Sequence, residues 1–495
     1  FIRLKYGLSN LKEAIKKVHF PRYLEDTIEA RIRLGFDEFF GLQLNSLLKK
    51  KVWDEKKNAP SLLVDKEKIA SFVKSLPFEL TASQKVACQE ILQNLQKSTA
   101  MNRMLEGDVG SGKTIVAAIA CYVAFLNGYQ SAIMAPTQIL ATQHFNTLTK
   151  ILSPLGVKIS LILGGSSLKV EDRSADIFIG THALLQKEDY FNKLGFIVID
   201  EQHRFGVSQR AKLAAKTNEL SPHVLTMTAT PIPRTVALTA YGDLDVSVLT
   251  ELPKGRVKIK TWVVPPKKRE AAYGWIRSRV QGTDEQAFIV CPLIEQSEAE
   301  SLTSVKAATV EYEKLSKEVF PDLKLGLLHG RIKGKEKDEI MAKFKNGELD
   351  ILVATPVVEV GIDIPGATII MIEAAERFGL AQLHQLRGRV GRGSKQSYCL
   401  LFTESSAITA QTRLKALERS TNGLELAELD LKMRGPGEIY GIAQHGYPEL
   451  KVANYNDLSL IKKARSAAES LVDQLEKYPK VQEFIKVSST PIAQN

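Results

Sequence analysis

Leu105-Glu106-Gly107-Asp108-Val109-Gly110-Ser111-Gly112-Lys113-Thr114 decides the fold. An apolar run precedes its glycine-rich part, and the apolar stretch Ile115–Leu126 follows it. A strand, loop and helix of this composition can close backbone N–H groups around phosphates. Gly107, Gly110 and Gly112 admit the close approach, and Asp108, Val109 and Ser111 complete the loop. Lys113 supplies a cation, and Thr114 offers a hydroxyl to Mg²⁺. A second apolar run ends in Asp200-Glu201-Gln202-His203. There Asp200 is the second expected metal contact, and Glu201 the carboxylate that positions an attacking water. ATP and Mg²⁺ are the expected cofactors.

The 495 residues exceed one compact core, so two or three domains are expected. A formal net charge of +11 favours an anionic partner such as nucleic acid. Four scattered cysteines without a CxxC pair argue against zinc and for a reducing, cytoplasmic setting. Ile115–Leu126 is too short to span a bilayer and reads as a buried helix, so no membrane partner is expected. The chain opens at Phe1, without methionine or signal peptide, and reads as the remainder of something longer.

Short apolar runs recur beyond Ser131, at Ala132–Ala135, Ile159–Leu163, Ile177–Ile179, Phe196–Ile199 and Val224–Met227. Helical patterns separate them, which is the rhythm of a parallel α/β sheet whose strand ends collect ligands. Leu252–Arg256 and Pro265–Arg269 interrupt the rhythm and read as the flank of a linker. It restarts at Trp262–Val264 and continues through Phe288–Val290, Leu325–Leu328, Ile351–Val353, Ile369–Ile372 and Tyr398–Phe402. Four segments follow: a helical segment (1–75), a nucleotide-binding lobe (76–252), a second α/β lobe (253–405) and a helical hairpin, translocation loop and tail (406–495). Lys49-Lys50-Lys51 reads as a solvated helix face.

Further motifs sit at strand ends. Thr81-Ala82-Ser83-Gln84 precedes a helix, and two readings of it stand. Gln84 can read an adenine edge, or the stretch can be a helix cap with a solvent-facing glutamine. Thr137 and Thr181 close two strands of the first lobe and can approach a nucleic-acid backbone, with helix capping as the plainer alternative. Thr228 and Thr230 can join the metal-site carboxylates to the nucleic acid. In the second lobe Thr355 repeats the backbone-facing design, and Asp363 is expected to face the nucleotide. Gln385-Leu386-Arg387-Gly388-Arg389-Val390-Gly391-Arg392 places two arginines three apart, kept slim by glycines. Gln385, Arg389 and Arg392 are the expected catalytic contribution of this lobe, which reaches the phosphates when the lobes close.

These motifs, in this order, resemble superfamily 2 helicases, whose core is two tandem RecA-like parallel-sheet lobes. The finer likeness is to the RecG family of bacterial branched-DNA helicases. It is carried by Asp200-Glu201-Gln202-His203-Arg204-Phe205-Gly206-Val207, Met227–Thr235, Tyr241–Ser247 and Val18-His19-Phe20-Pro21, together with the phosphate loop. The resemblance implies that Gln84 contacts adenine, that Lys113 meets the β/γ-phosphates, and that Thr114 and Asp200 hold Mg²⁺. It also implies a helical hairpin and loop that turn ATP hydrolysis into motion on duplex DNA, with Arg413, Arg434 and Gln444 at the matching positions. Branched or duplex DNA is the implied partner. A single-strand DNA-binding protein is a further one, and the implied state is a monomer in the bacterial cytoplasm, associated with the nucleoid.

Three departures bear on that expectation. The family's amino-terminal wedge domain has no counterpart in the sequence. Pro356 stands where a second threonine is usual, removing a hydroxyl and an N–H. Gln138 stands where glutamate is common. Two alternatives remain: a transcription-repair translocase acting on RNA polymerase, and a non-catalytic DNA-binding scaffold.

Overall fold

The computed structural model describes residues 2–56, 58–163, 174–185, 191–201, 220–240, 242, 244–253, 257–292, 308–332, 334–356, 364, 366–391, 393, 395–434 and 450–489. Two all-parallel sheets organise the chain. The first is built from β1 (Asn102–Gly107), β2 (Gln130–Met134), β3 (Ile159–Ile162), β4 (Ile177–Gly180), β5 (Leu194–Asp200), β6 (His223–Thr228) and β7 (Asp245–Leu249), in the order β3-β4-β2-β5-β6-β1-β7. The second contains β8 (Lys260–Val264), β9 (Gln286–Val290), β10 (Leu325–Leu328), β11 (Ile351–Ala354), β12 (Ala367–Ile372) and β13 (Tyr398–Phe402), ordered β10-β11-β9-β12-β13-β8.

Their central strands are mostly apolar and buried because helices cover both faces, although β1 carries Arg103 and Glu106. β5 and β12 are buried along their whole length. The edge strand β7, Asp-Val-Ser-Val-Leu, alternates between burial and exposure, which hides it among the apolar runs of the sequence. Pro265–Arg269 is no linker. It is a turn inside the second lobe, where Pro266–Lys268 leads into the helix Arg269–Val280. Arg269 donates to both oxygens of Glu373, at 2.7 and 3.0 Å, just past β12.

The helices at the two ends of the chain pack together against the first lobe. The long helix Leu24–Lys56 lies along Leu458–Glu469, and Phe36, Phe39 and Leu44 share a core with Ile461, Ala464 and Met104 of β1. Glu38 accepts the N–H groups of Lys451, Val452 and Ala453 at 2.7–3.0 Å. Lys50 and Lys51 are ion-paired to Asp245 (2.7 Å) and Asp473 (3.0 Å), so this basic run bridges elements and is not merely solvated. Residues 406–495 therefore divide in space. The helices Ile408–Arg419 and Gly423–Arg434 add Leu414, Leu417 and Leu426 to the core of the second lobe, whereas Leu458–Glu469 belongs to the helical body. Among the described residues no helix is long and apolar enough to cross a membrane.

Candidate active site between the lobes

The phosphate loop leaves the carboxyl end of β1 and turns into the helix Lys113–Leu126. Gly110 and Gly112 have φ of 79° and 87°, a left-handed backbone that turns successive N–H groups toward one point. Lys113 Nζ donates to the carbonyls of Gly107 (2.7 Å) and Asp108 (3.1 Å). A Cβ on Gly107 would stand 2.6 Å from Ser111 Oγ, so only glycine keeps that hollow open. Ser111 Oγ is buried without a protein hydrogen bond, as expected of a polar atom lining an anion cradle. The loop fits a phosphate.

Gln84 lies 2% exposed behind that loop, which rules out the solvent-facing form of the capping alternative. Its Oε1 accepts the Thr81 N–H (2.9 Å), while Thr81 Oγ1 accepts the Gln84 N–H (3.2 Å), a reciprocal capping box. Its Nε2 donates to Ser111 O (2.8 Å) and braces the phosphate loop. One N–H and one lone pair of the amide lie beyond these bonds. Asp108, Val109, Leu252, Pro253, Ile259 and Gly388 help to line an adjoining cavity of about 330 Å³, within the range of small-molecule sites.

Asp200 ends β5, and its Oδ2 lies 2.7 Å from Nε2 of His144, on the helix Gln138–Leu152. Burial raises the Asp200 pKa, but the His144 hydrogen bond and the His144 and Lys113 charges outweigh it, leaving the group below the usual carboxylate range. A carboxylate kept ionised near the phosphate loop suits a divalent cation. Glu201 follows at φ 54°, a conformation uncommon for a side chain of its size and of the kind that collects at functional sites. Lys113 is pulled below the ordinary lysine range, first by enclosure and further by the positive charge of Arg389. The Glu201, Asp200 and Asp108 carboxylates oppose that pull.

Arg389 comes from the opposite lobe. It lies 3% exposed at the end of the helix Leu380–Arg387, near enough for its charge to act on Lys113. Gly388 permits this approach, since a Cβ there would lie 3.0 Å from Val109 Cβ. Gln385 Nε2 donates across the lobes to Thr230 Oγ1 (2.7 Å), and the Thr230 N–H donates to Thr228 Oγ1 (3.1 Å). The structure thus brings Gln84, Lys113, Asp200, Glu201 and Arg389 about the phosphate loop and ties Gln385 to Thr230. Arg392, Asp363 and Gln444 lie outside the described residues, as does the side chain of Arg434.

The expected strand-contacting residues divide. Thr137 is half-buried and caps its helix by accepting the Leu140 N–H (3.4 Å), the plainer of its two readings. Thr181, Thr228 and Thr355 are buried at strand ends. Arg413, expected as a coupling residue of the hairpin, lies on its first helix. It lies 6% exposed, bonded to Asp430 Oδ1 (3.2 Å) and Phe378 O (2.7 Å), and so braces the hairpin from within. Sequence reasoning missed Asp430, whose Oδ2 accepts the Leu380 N–H (2.7 Å) and caps the helix leading to Arg389. It also missed His144 and His384. Each is one polar residue among several on its helix, and only tertiary packing gives it its carboxylate partner.

Three family models match in order: DEAD/DEAH box helicase over residues 81–239, helicase conserved C-terminal domain over 269–394, and ATP-dependent DNA helicase RecG, domain 3, C-terminal, over 420–486. The ATP-dependent DNA helicase RecG of Synechocystis is 46% identical over 97% of this chain and 58% of its own length. That of Streptococcus pneumoniae is 43% identical over 95% of this chain and 70% of its own length. A solved structure of RecG bound to a three-way DNA junction superposes with a TM-score of 0.78 at 43% identity, covering 93% of this chain and 61% of that one. The chain therefore spans somewhat over half the length of some relatives it matches. Likeness at this level, across both lobes and the helices beyond them, makes the chain a member of the RecG family of ATP-dependent DNA helicases.

Proposed function

We propose that this chain hydrolyses ATP to translocate on duplex DNA and thereby remodels branched DNA, reversing stalled forks and migrating four-way junctions. One observation carries the reading: Arg389, supplied by the second lobe, is buried close enough to the phosphate loop of the first for its charge to act on Lys113. A guanidinium brought to the transferring phosphoryl group by closure is worth about 10³–10⁵ in rate.

Each side chain has a role. Lys113 and the loop N–H groups hold the β/γ-phosphates, and Glu201 orients the water whose oxygen bonds to the γ-phosphorus as the bond to ADP breaks. Thr114 and Asp200 would hold Mg²⁺, which supplies charge to offset that of the phosphates. Gln385 ties the closing lobe to Thr230, and through it to Thr228 at the edge that faces nucleic acid. Loss of the γ-phosphate weakens what holds the lobes shut, and their parting moves the strand that both lobes grip. Relatives of the family are bacterial, so a nucleoid setting, a monomeric state and contact with a single-strand DNA-binding protein form part of the same reading.

Phosphate release with forked, linear-duplex and single-stranded DNA tests it. Duplex-containing DNA is expected to stimulate turnover most. Turnover indifferent to every DNA would sink the translocase reading, and no turnover with any would favour the scaffold.

A further inference from the structure

The phosphate loop is also held from the opposite lobe by a contact that the chemistry of hydrolysis does not use. The Asp108 carboxylate lies 3.0 Å from Nε2 of His384 and accepts the N–H of Gly423. Arg387 Nη2 stands 2.8 Å from Nδ1 of the same imidazole. Arginine can only donate, so Nδ1 accepts, and the ring proton on Nε2 points at Asp108. Arg387 is fixed in turn by the carbonyls of Leu417 (2.7 Å) and Ser420 (3.0 Å), at the end of the helix Ile408–Arg419. Gly423 opens the second hairpin helix. A Cβ there would lie 2.3 Å from Asp108 Oδ1 and 2.9 Å from His384 Nε2, so the approach needs a glycine. One carboxylate of the phosphate loop thus reaches both hairpin helices, the second directly and the first through His384 and Arg387.

We infer that Asp108, His384 and Gly423 form a latch that sets the closed position of the lobes and carries displacement of the phosphate loop straight into the hairpin. They are positioning residues. Arg389 lies two residues beyond Arg387, so the latch also fixes how far its guanidinium reaches toward Lys113. What the latch accomplishes rests on the ATP-driven reading above, whereas its existence rests on the contact geometry.

Gly423→Ala tests it without replacing any residue of the phosphate loop or any group facing substrate, its new methyl pressing on Asp108 Oδ1 from the hairpin side. The change adds one methyl, and alanine favours a helix, so the fold is expected to survive. Cysteines placed at exposed Lys158 and Lys345 carry donor and acceptor dyes, because the four native cysteines are buried. Energy transfer then reports lobe closure, with no nucleotide and with a non-hydrolysable ATP analogue. Gly423→Ala and His384→Ala should each lower the closed-to-open ratio about tenfold, as loss of a charge-assisted hydrogen bond implies. Together they should do little more than either alone, because both open one clasp. DNA-stimulated kcat should fall in parallel, while KM for ATP stays within about threefold. Asp108→Asn keeps an acceptor oxygen and should retain most of the closure. Unchanged energy transfer in Gly423→Ala and His384→Ala, or fully additive losses, would overturn the latch. A wild-type chain that hydrolyses no ATP on any DNA would instead defeat the functional reading, and the closure distances would still decide the latch.

Discussion

Gln84 is the residue whose replacement separates support of the phosphate loop from recognition of the base. Gln84→Ala deletes the acceptor for the Thr81 N–H and the donor to Ser111 O, two bonds in a buried setting. At about 0.5–1.5 kcal/mol each, the loss is about 1–3 kcal/mol. For a lobe of this size that lowers the unfolding midpoint by about 2–12 °C. Thr81→Ala is the matched control. It removes the cap, at about 0.5–2 kcal/mol, and leaves the bond to Ser111 in place. Thermal unfolding and steady-state ATP hydrolysis of the two variants then divide the roles. Both should lose stability, but only Gln84→Ala should raise KM for ATP, by about tenfold, since a loop bond of about 1.4 kcal/mol is gone. The spare N–H and lone pair of the amide give a second readout: if they read adenine, Gln84→Ala also narrows the preference for ATP over GTP. Wild-type KM in Gln84→Ala, with a stability loss no larger than that of Thr81→Ala, would refute the brace.

Lys113→Ala should abolish turnover yet leave DNA affinity within about threefold, because a lysine that holds the nucleotide phosphates is not itself a strand contact; normal turnover would overturn the site. His223 is buried, with Nδ1 accepting the Met101 N–H (3.1 Å) and Nε2 facing Pro60 O (2.8 Å), and burial depresses its pKa. The unfolded chain therefore binds the proton more readily. Stability should be full above the ordinary histidine range and fall as pH drops through it, by at most about 1.4 kcal/mol per pH unit. His223→Gln should flatten that slope in unfolding curves between neutral and mildly acidic pH. Arg413→Ala takes from the buried Asp430 carboxylate its bond to a guanidinium, at a cost of up to about 3–5 kcal/mol; an unchanged unfolding midpoint would refute the bracing role. Arg434→Ala should spare DNA-stimulated hydrolysis and slow junction migration, and equal loss of both would argue against a coupling role.

The lobes were legible because buried parallel strands write themselves as uninterrupted apolar runs, and because a phosphate loop must carry glycines and a lysine at fixed spacing. β7 escaped as an edge strand, half-exposed and carrying Asp245 and Ser247. The site was half legible. Residues expected at phosphate or metal are confined to few types within motifs of fixed spacing, so Lys113, Asp200 and Arg389 stand out. Residues that position them are ordinary polar groups on helices. Nothing around His144, His384 or Asp430 in sequence marks them, because their partners lie 56, 276 and 50 residues away (Asp200, Asp108 and Leu380). Arg413's partner was hidden for the converse reason: a long basic side chain in a hairpin suits DNA and an internal carboxylate equally well, and only burial distinguishes them.

The helix Gly423–Arg434 is where motion between the lobes must be absorbed. Its Leu426 packs in the core of the second lobe, while Leu431, five residues on, packs with Phe39 and Tyr455 in the helical body borne by the first. Asp430, one residue earlier, caps the helix that leads to Arg389. The chain then runs from Arg434 to Lys451–Ala453, where Glu38 holds three successive N–H groups on the first-lobe side. The lobes are thus joined twice along the chain, through the linker after β7 and again beyond this helix. They cannot part about the first linker alone without drawing Leu431 from one core or Leu426 from the other. Each core is close-packed, so the helix has discrete resting positions and no smooth slide between them. Under the proposed function, a switch of that kind, clasped at its first residue by the phosphate loop through Gly423 and leading at its last into Arg434, is a mechanical route from hydrolysis to DNA that does not depend on the sheets deforming.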